Sequence, residues 1–192
     1  MNIETEQNTG SSAKDAFGSK GTKLNSISFS HPYAEDIIDR AKELLRESEA
    51  GKALIRVQEI KRIPIHVLKG DGESGYNPQS NVIYVPISGK KDRLDAKTFI
   101  LFVKAFRALD QEFIGLETPN PSMEVMQYAA RLHSKNVDSI VYACKVVSEM
   151  SSSKVFPNLL DAIESFGYSD LYKGYKEEKT LEELFDLYAE SN

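Results

Sequence analysis

The chain contains three histidines, His31, His66 and His133, and a single cysteine, Cys144. A peptidase-type zinc site needs two imidazoles one helical turn apart, at i and i+4, so that both reach the ion from one face. No two of these histidines have that spacing. His31 precedes Pro32 at a helix start and reads as a local cap or surface residue. His66 lies in an alternating apolar run and reads as a strand residue with its ring on one sheet face. His133 falls on the apolar stripe of a helix, where a hydrogen-bonded core histidine is the expectation. Cys144 ends the apolar run Ile140-Val141-Tyr142-Ala143, so a buried, inert thiol is expected; no base is at hand to activate it.

Other groupings are weaker. Asp71, Glu73 and Asn77 alternate in a loop, but the glycine and terminal glutamate of an EF-hand loop are missing from their places, so no calcium site is expected. Gly70-x-Gly72 and Gly72-x-x-Gly75 do not lie between a strand and a helix, where a phosphate-binding loop would have to sit. Glu177-Glu178 and Glu182-Glu183 belong to an exposed helix start. No Ser-His-Asp set is identifiable.

The elements that would position these residues follow from hydrophobic period. Residues 1–28 are rich in Asn, Thr, Ser, Gly and Lys, and read as a polar, disordered tail. Residues 29–192 read as one α+β domain, since 192 residues suffice for a single core and the apolar and charged fractions of 41% and 28% are those of a globular chain. Ser30-His31-Pro32 is a helix start, and Ile37, Ile38, Ala41, Leu44 and Leu45 follow at helical spacing up to Gly51, a natural stop. Residues 53–60 read as a short helical or extended piece. Alternation then takes over in Ile63, Ile65 and Val67, and again in residues 81–86, with Gly70-Asp71-Gly72 and residues 75–80 between them. Two such runs predict an antiparallel hairpin with a long connection, with Pro64 and Pro86 at strand ends or edges. A strongly apolar helix is expected over residues 94–113, with Phe99, Phe102, Val103, Phe106 and Phe113 on its stripe. Pro119-Asn120-Pro121-Ser122 breaks the chain before a long helix that Ser151-Ser152-Ser153 ends. Shorter helices are expected over 155–166 and 181–188.

The net charge of −5 argues against general nucleic-acid binding. Lys61-Arg62 and the Lys90, Lys91, Arg93 group are short runs of solvated charge. No window of about 18 apolar residues predicts a membrane span. The start carries no Sec-type signal, and the lone cysteine fits a reducing compartment, so a cytoplasmic location is expected; the polar tail leaves leaderless export as a bacterial effector open.

The stretch Gly75-Tyr76-Asn77-Pro78-x-x-Asn81-x-Ile83-x-Val85-Pro86 resembles the hairpin of an uncharacterised bacterial family of zincin-like metallopeptidases, in which Gly-x-Tyr-Asp-Pro is followed by Asn-x-Ile-x-Leu-Asn-Pro. The family's active-site helix reads approximately Ala-His-Glu-Leu-Arg-His-Ala-Trp-Gln, and residues 103–111 align with it. Lys104 takes the place of the first histidine, Ala105 that of the glutamate and Ala108 that of the second histidine, while Arg107 and Gln111 match. In the following helix the family's Arg-x-x-Glu-Ala-Asp-Ala aligns with residues 133–139. Asn136 replaces the third ligand and Asp138 is kept. The resemblance spans residues 34–150.

The resemblance implies a minimal zincin-like α+β domain, mostly helical, with a small antiparallel β-hairpin packed on a long apolar helix, and a site stripped of its metal chemistry. An ammonium at Lys104 repels a dication, alanine offers no ligand or base, and one amide oxygen at Asn136 does not hold zinc. No metal, cofactor or catalytic residue is therefore expected. Arg107 and Asp138 are expected to pair between the two helices, and Lys104 to fill the metal's place by pairing with Asp138 or Asn136. The implied function is that of a pseudo-peptidase, a module that binds a protein or peptide along the former cleft. Two other readings stay open at this point: an active hydrolase or metallopeptidase with a different ligand set, and an unrelated α+β domain.

Overall fold

The computed structural model describes residues 31–87, 93–116, 119, 122–151 and 158–191. The polar tail, the helix start at Ser30, the Lys90-Lys91 pair, the break at Asn120-Pro121, the stop at Ser152-Ser153 and the helical residues expected from 155 to 157 lie outside the described residues.

The described chain is mostly helical with a small mixed sheet. Helix α1 (Ala34–Leu45) buries Ile37, Ala41, Leu44 and Leu45 on one face and carries Glu35 and Asp36 at its positive N-terminal end. A short turn leads into α2 (Glu49–Lys61), whose N-cap Ser48 accepts a hydrogen bond from the Gly51 amide at 2.9 Å. Gly51 therefore does not stop a helix. It sits in the first turn of α2, where a Cβ would lie 2.1 Å from the carbonyl oxygen of Leu45. The extended-or-helical piece at 53–60 is the body of that helix.

Strands β1 (Ile65–Lys69), β2 (Gly75–Asn77) and β3 (Val82–Ile87) form a sheet of order β1-β3-β2. This corrects the expected hairpin. The two long runs pair in parallel, with Val67 opposite Val85, while the antiparallel partner of β3 is the three-residue β2, with Tyr76 opposite Ile83. Residues that read as loop contain the third strand. Asn77 closes the β2–β3 turn by accepting bonds from the Gln79 and Ser80 amides at 2.9 and 3.2 Å, and Asn81 adopts the left-handed φ of 53°. The central position of β3 explains why Ile83, Val85 and Ile87 are all buried. Proline is tolerated at position 86 because β2 reaches only as far as Tyr84, so this part of β3 is paired on the β1 side alone.

Helix α3 (Ala96–Phe113) starts at Asp95, whose carboxylate accepts from the Thr98 amide at 2.8 Å. It is the central helix: Phe99, Ile100, Phe102, Val103, Ala105, Phe106 and Leu109 are all fully buried. One side packs on the sheet and the other on α4 (Val125–Met150). Three shorter helices complete the domain, α5 (Leu159–Ser165), α6 (Ser169–Lys176) and α7 (Leu181–Ser191). Helix α6 carries no stripe long enough to announce itself. Gly174 within it lets α7 close in, since a Cβ there would lie 2.7 Å from a Leu184 methyl. No helix among the described residues is long and apolar enough to cross a membrane.

Candidate functional site

A cleft of about 210 Å³ opens between β2, α3 and α4. Helix α3 contributes Lys104, Ala108 and Gln111, residues that fall on one face by helical spacing, and α4 contributes Asn136 and Ser139. Gly75 and Tyr76 of β2 form the opposite wall. The wall is fixed to α3 by Ser74, whose hydroxyl donates to the Leu101 carbonyl at 2.7 Å. A Cβ at position 75 would lie 2.8 Å from the Tyr84 hydroxyl, so a larger residue there would displace that phenol. At the rim, Lys135 is paired with Glu112 at 2.7 Å.

A polar network joins α3 to α4 and reaches the cleft at Gln111 and Ser139. Arg107 donates from Nε and Nη2 to the two carboxylate oxygens of Asp138, at 2.7 and 3.0 Å, and from Nη1 to Asp110. Burial opposes the guanidinium charge, and Asp138 with Asp110 more than offsets it, so the Arg107 pKa is raised. Gln111 donates from its amide nitrogen to Asp138 at 2.7 Å and to the Lys135 carbonyl at 2.8 Å, with the Ser139 hydroxyl 3.1 Å from the same nitrogen. The face of Tyr142 lies 4.6 Å from the Arg107 guanidinium.

Lys104 differs from the expectation. Its ammonium donates to the Tyr168 hydroxyl at 3.1 Å, not to Asp138 or Asn136. The reason is that Arg107 and Gln111 already occupy Asp138, and Asn136 donates its amide to the Tyr188 hydroxyl at 3.1 Å. The phenols come from the C-terminal part of the chain: Tyr168 precedes α6 and Tyr188 lies on α7. Lys104 is 8% exposed. Burial pulls its pKa down, with Glu73 and then Tyr188 acting in the opposite sense. Burial likewise pushes the Tyr168 phenol up to about 12.

The remaining aligned position, Ala105, is fully buried in the core and does not line the cleft. Of the histidines, His66 is exposed. His31 is buried, not a surface residue, and its Nδ1 accepts from the Tyr33 amide at 3.4 Å ahead of α1. His133 is half-buried, its ring 5.1 Å from that of Tyr188 and 5.8 Å from that of Phe185. Cys144 is buried, and the apolar surroundings push its thiol up to about 12, as an inert cysteine requires. Asn77, one of the three loop oxygens, is engaged in its own turn. Among the described residues no three His, Cys, Asp or Glu side chains come together as a metal site would need.

At the three positions that the resemblance aligns with metal ligands stand an ammonium, a methyl and a carboxamide, a set that does not suit zinc. Residues that composition could not single out are Tyr168 and Tyr188, since their contacts with Lys104 and Asn136 bridge 64 and 52 positions. The chain matches no known family model, no curated protein and no solved structure.

Proposed function

We propose that this domain is a pseudo-peptidase, a metallopeptidase-like scaffold without metal chemistry whose cleft holds an extended peptide against β2. The observation that carries the reading is the meeting of Lys104, Ala108 and Asn136 with an edge strand in one cleft. A strand at the edge of a sheet offers backbone donors and acceptors to a further strand, and side chains across the groove then select among sequences. Among the described residues β2 is paired on one side only, by β3, and Gly75 keeps that wall low. The same lining has no imidazole or thiolate; its carboxylates are Glu73 and Glu112, the latter paired with Lys135, and an ammonium at Lys104 disfavours a metal beside them.

The experiment is selection of linear peptides from a random displayed library on the full chain, followed by amide-resolved NMR titration of the enriched sequences. Shifts centred on Gly75, Tyr76, Ala108 and Gln111 are expected. Enriched peptides whose shifts map elsewhere, or a library that yields none, would defeat the peptide-binding reading. Stoichiometric, micromolar zinc binding by calorimetry would instead return the peptidase reading to first place.

A further inference from the structure

We propose that Lys104 is the anchor of this cleft for a carboxylate, carried by the peptide that the preceding reading places there. An ammonium has three N–H donors. Among the described residues that of Lys104 makes one hydrogen bond, to Tyr168, and no ion pair. The neighbouring cations are each matched by a carboxylate in contact, Arg107 by Asp138 and Asp110 and Lys135 by Glu112. Lys104 is more deeply buried than either partner of the Lys135–Glu112 pair, yet it borders the cleft with no carboxylate in contact and only the Tyr168 phenol and ring beside it. A buried ammonium without a counter-ion is unfavourable, and an anion entering the cleft relieves that cost.

The surroundings select the kind of anion. Beside Lys104 the cleft presents neutral hydrogen-bonding groups, those of Asn136, Ser139 and Gln111. Glu73 stands on the lining without touching the ammonium, although its field reaches it. One ammonium with Glu73 also on the lining suits a monoanion better than a phosphate dianion, which Glu73 would repel more strongly. The volume of about 210 Å³ is several times the ~30 Å³ that one water occupies in the liquid. A carboxyl group therefore fits with part of the chain that carries it. Two sources share this chemistry, a peptide C-terminus and an internal acidic side chain.

The test uses the full chain with acetate as probe and acetamide as its neutral counterpart, followed at the Lys104 side-chain methylene and the cleft amides by NMR. Acetate is expected to give saturable shifts at Lys104 that acetamide does not give. Lys104→Gln and Lys104→Met are expected to weaken acetate by about tenfold or more, the scale of a charge-assisted hydrogen bond. Shifts that do not saturate, or that acetamide reproduces, overturn the anchor without requiring any variant to fold. Peptides from the selection are then compared as free acid against C-terminal amide, and with internal Glu against Gln. A preference of about tenfold in the first pair identifies the terminus and in the second the side chain. Equal binding in both pairs would remove the anchor and leave the peptide reading intact. Saturable acetate with no peptide bound would keep the anchor and remove the peptide reading.

Discussion

Arg107 on α3 grips both carboxylate oxygens of Asp138 on α4, and Gln111 one turn later donates to the same carboxylate. The pair joins α3 to α4, the two longest of the described helices, with the Arg107 and Asp138 side chains only 12% and 21% exposed; it meets the cleft through Gln111, which lines it. Its bidentate geometry fixes rotation and translation between the helices at once. The seating of α3 on α4 beside the cleft is thus set by charge pairing as well as apolar packing, with Lys135–Glu112 and Gln111–Ser139 adding to it.

Asp138→Ala removes that carboxylate from two donors that stay behind. Asp110 retains part of the Arg107 charge, and both groups are partly solvated, so a loss of about 2 kcal/mol is expected rather than the larger cost of a fully buried pair. Chemical denaturation measures it. The double variant Arg107→Met, Asp138→Leu is expected to recover more than half of the loss, because the orphaned charge goes too. A double variant as unstable as the sum of its singles would show that the helices need the ion pair itself.

The helical part of this fold was legible because its signal is local. Phe99, Phe102, Val103 and Phe106 predict a buried helix over 94–113, and α3 runs Ala96–Phe113. The parallel pairing of β1 with β3 was not legible, since β2 has three residues and no period, and since the alternation of a strand names a face but not a partner. The site divides in the same way. The spacing of Lys104 and Ala108 places them on one helix face, whereas the partner of Lys104 is a phenol 64 residues away that no local pattern could supply. Asn136 has its Tyr188 partner for the same reason.

Gly51 was misread because a glycine after an apolar stripe normally marks a helix end. Its real constraint is the tight α1–α2 turn. The Cβ of Gly51→Ala would lie 2.1 Å from the Leu45 carbonyl oxygen and 2.7 Å from Ser48 Oγ, and the first of these is backbone that cannot rotate away. A loss of about 3 kcal/mol is expected despite the better helix propensity of alanine, as overpacking outweighs it. Equilibrium unfolding of the variant measures this. A change below about 0.5 kcal/mol, as for an ordinary surface site, would mean that the α1–α2 turn opens without cost.

Lys104→Met exchanges a buried ammonium for an apolar side chain of similar length. Since the group lost on the other side is a single phenol contact, stability at pH 7 is expected to stay within about 1 kcal/mol of the parent or to rise. The pH dependence follows from the lowered pKa. Below the folded-state pKa both states carry the proton and the parent bears the whole cost of the buried charge. Between that pKa and the ordinary value of 10.5 the folded state alone has released it, so the parent gains stability as pH rises and any advantage of the variant shrinks. Tyr168 opposes this trend in both proteins: with its phenol raised from 10.0 to about 12, stability is lost as pH climbs through that interval. Denaturation midpoints of parent and variant from pH 7 to 10 isolate the lysine. A gap that widens with pH would contradict the burial of the charge.

The proposed reading, in which Lys104, Ala108 and Asn136 stand where a metallopeptidase would carry its ligands, makes a constructive prediction. The first two lie one turn apart on α3, and all three line the same cleft, so suitable side chains there should converge on one point. The triple variant Lys104→His, Ala108→His, Asn136→Glu supplies two imidazoles and a carboxylate while removing the repelling ammonium. It is expected to bind one zinc ion per chain with at least micromolar affinity, which is about 8 kcal/mol of binding free energy, where the parent binds none. Zinc should raise its thermal midpoint in a concentration-dependent way, as a ligand specific to the folded state must. Calorimetry and thermal scans with and without zinc provide the measurement. A variant that folds with its helical content intact and takes up no zinc would show that these positions do not converge as ligands do, and the metallopeptidase-like reading of the scaffold would lose its support.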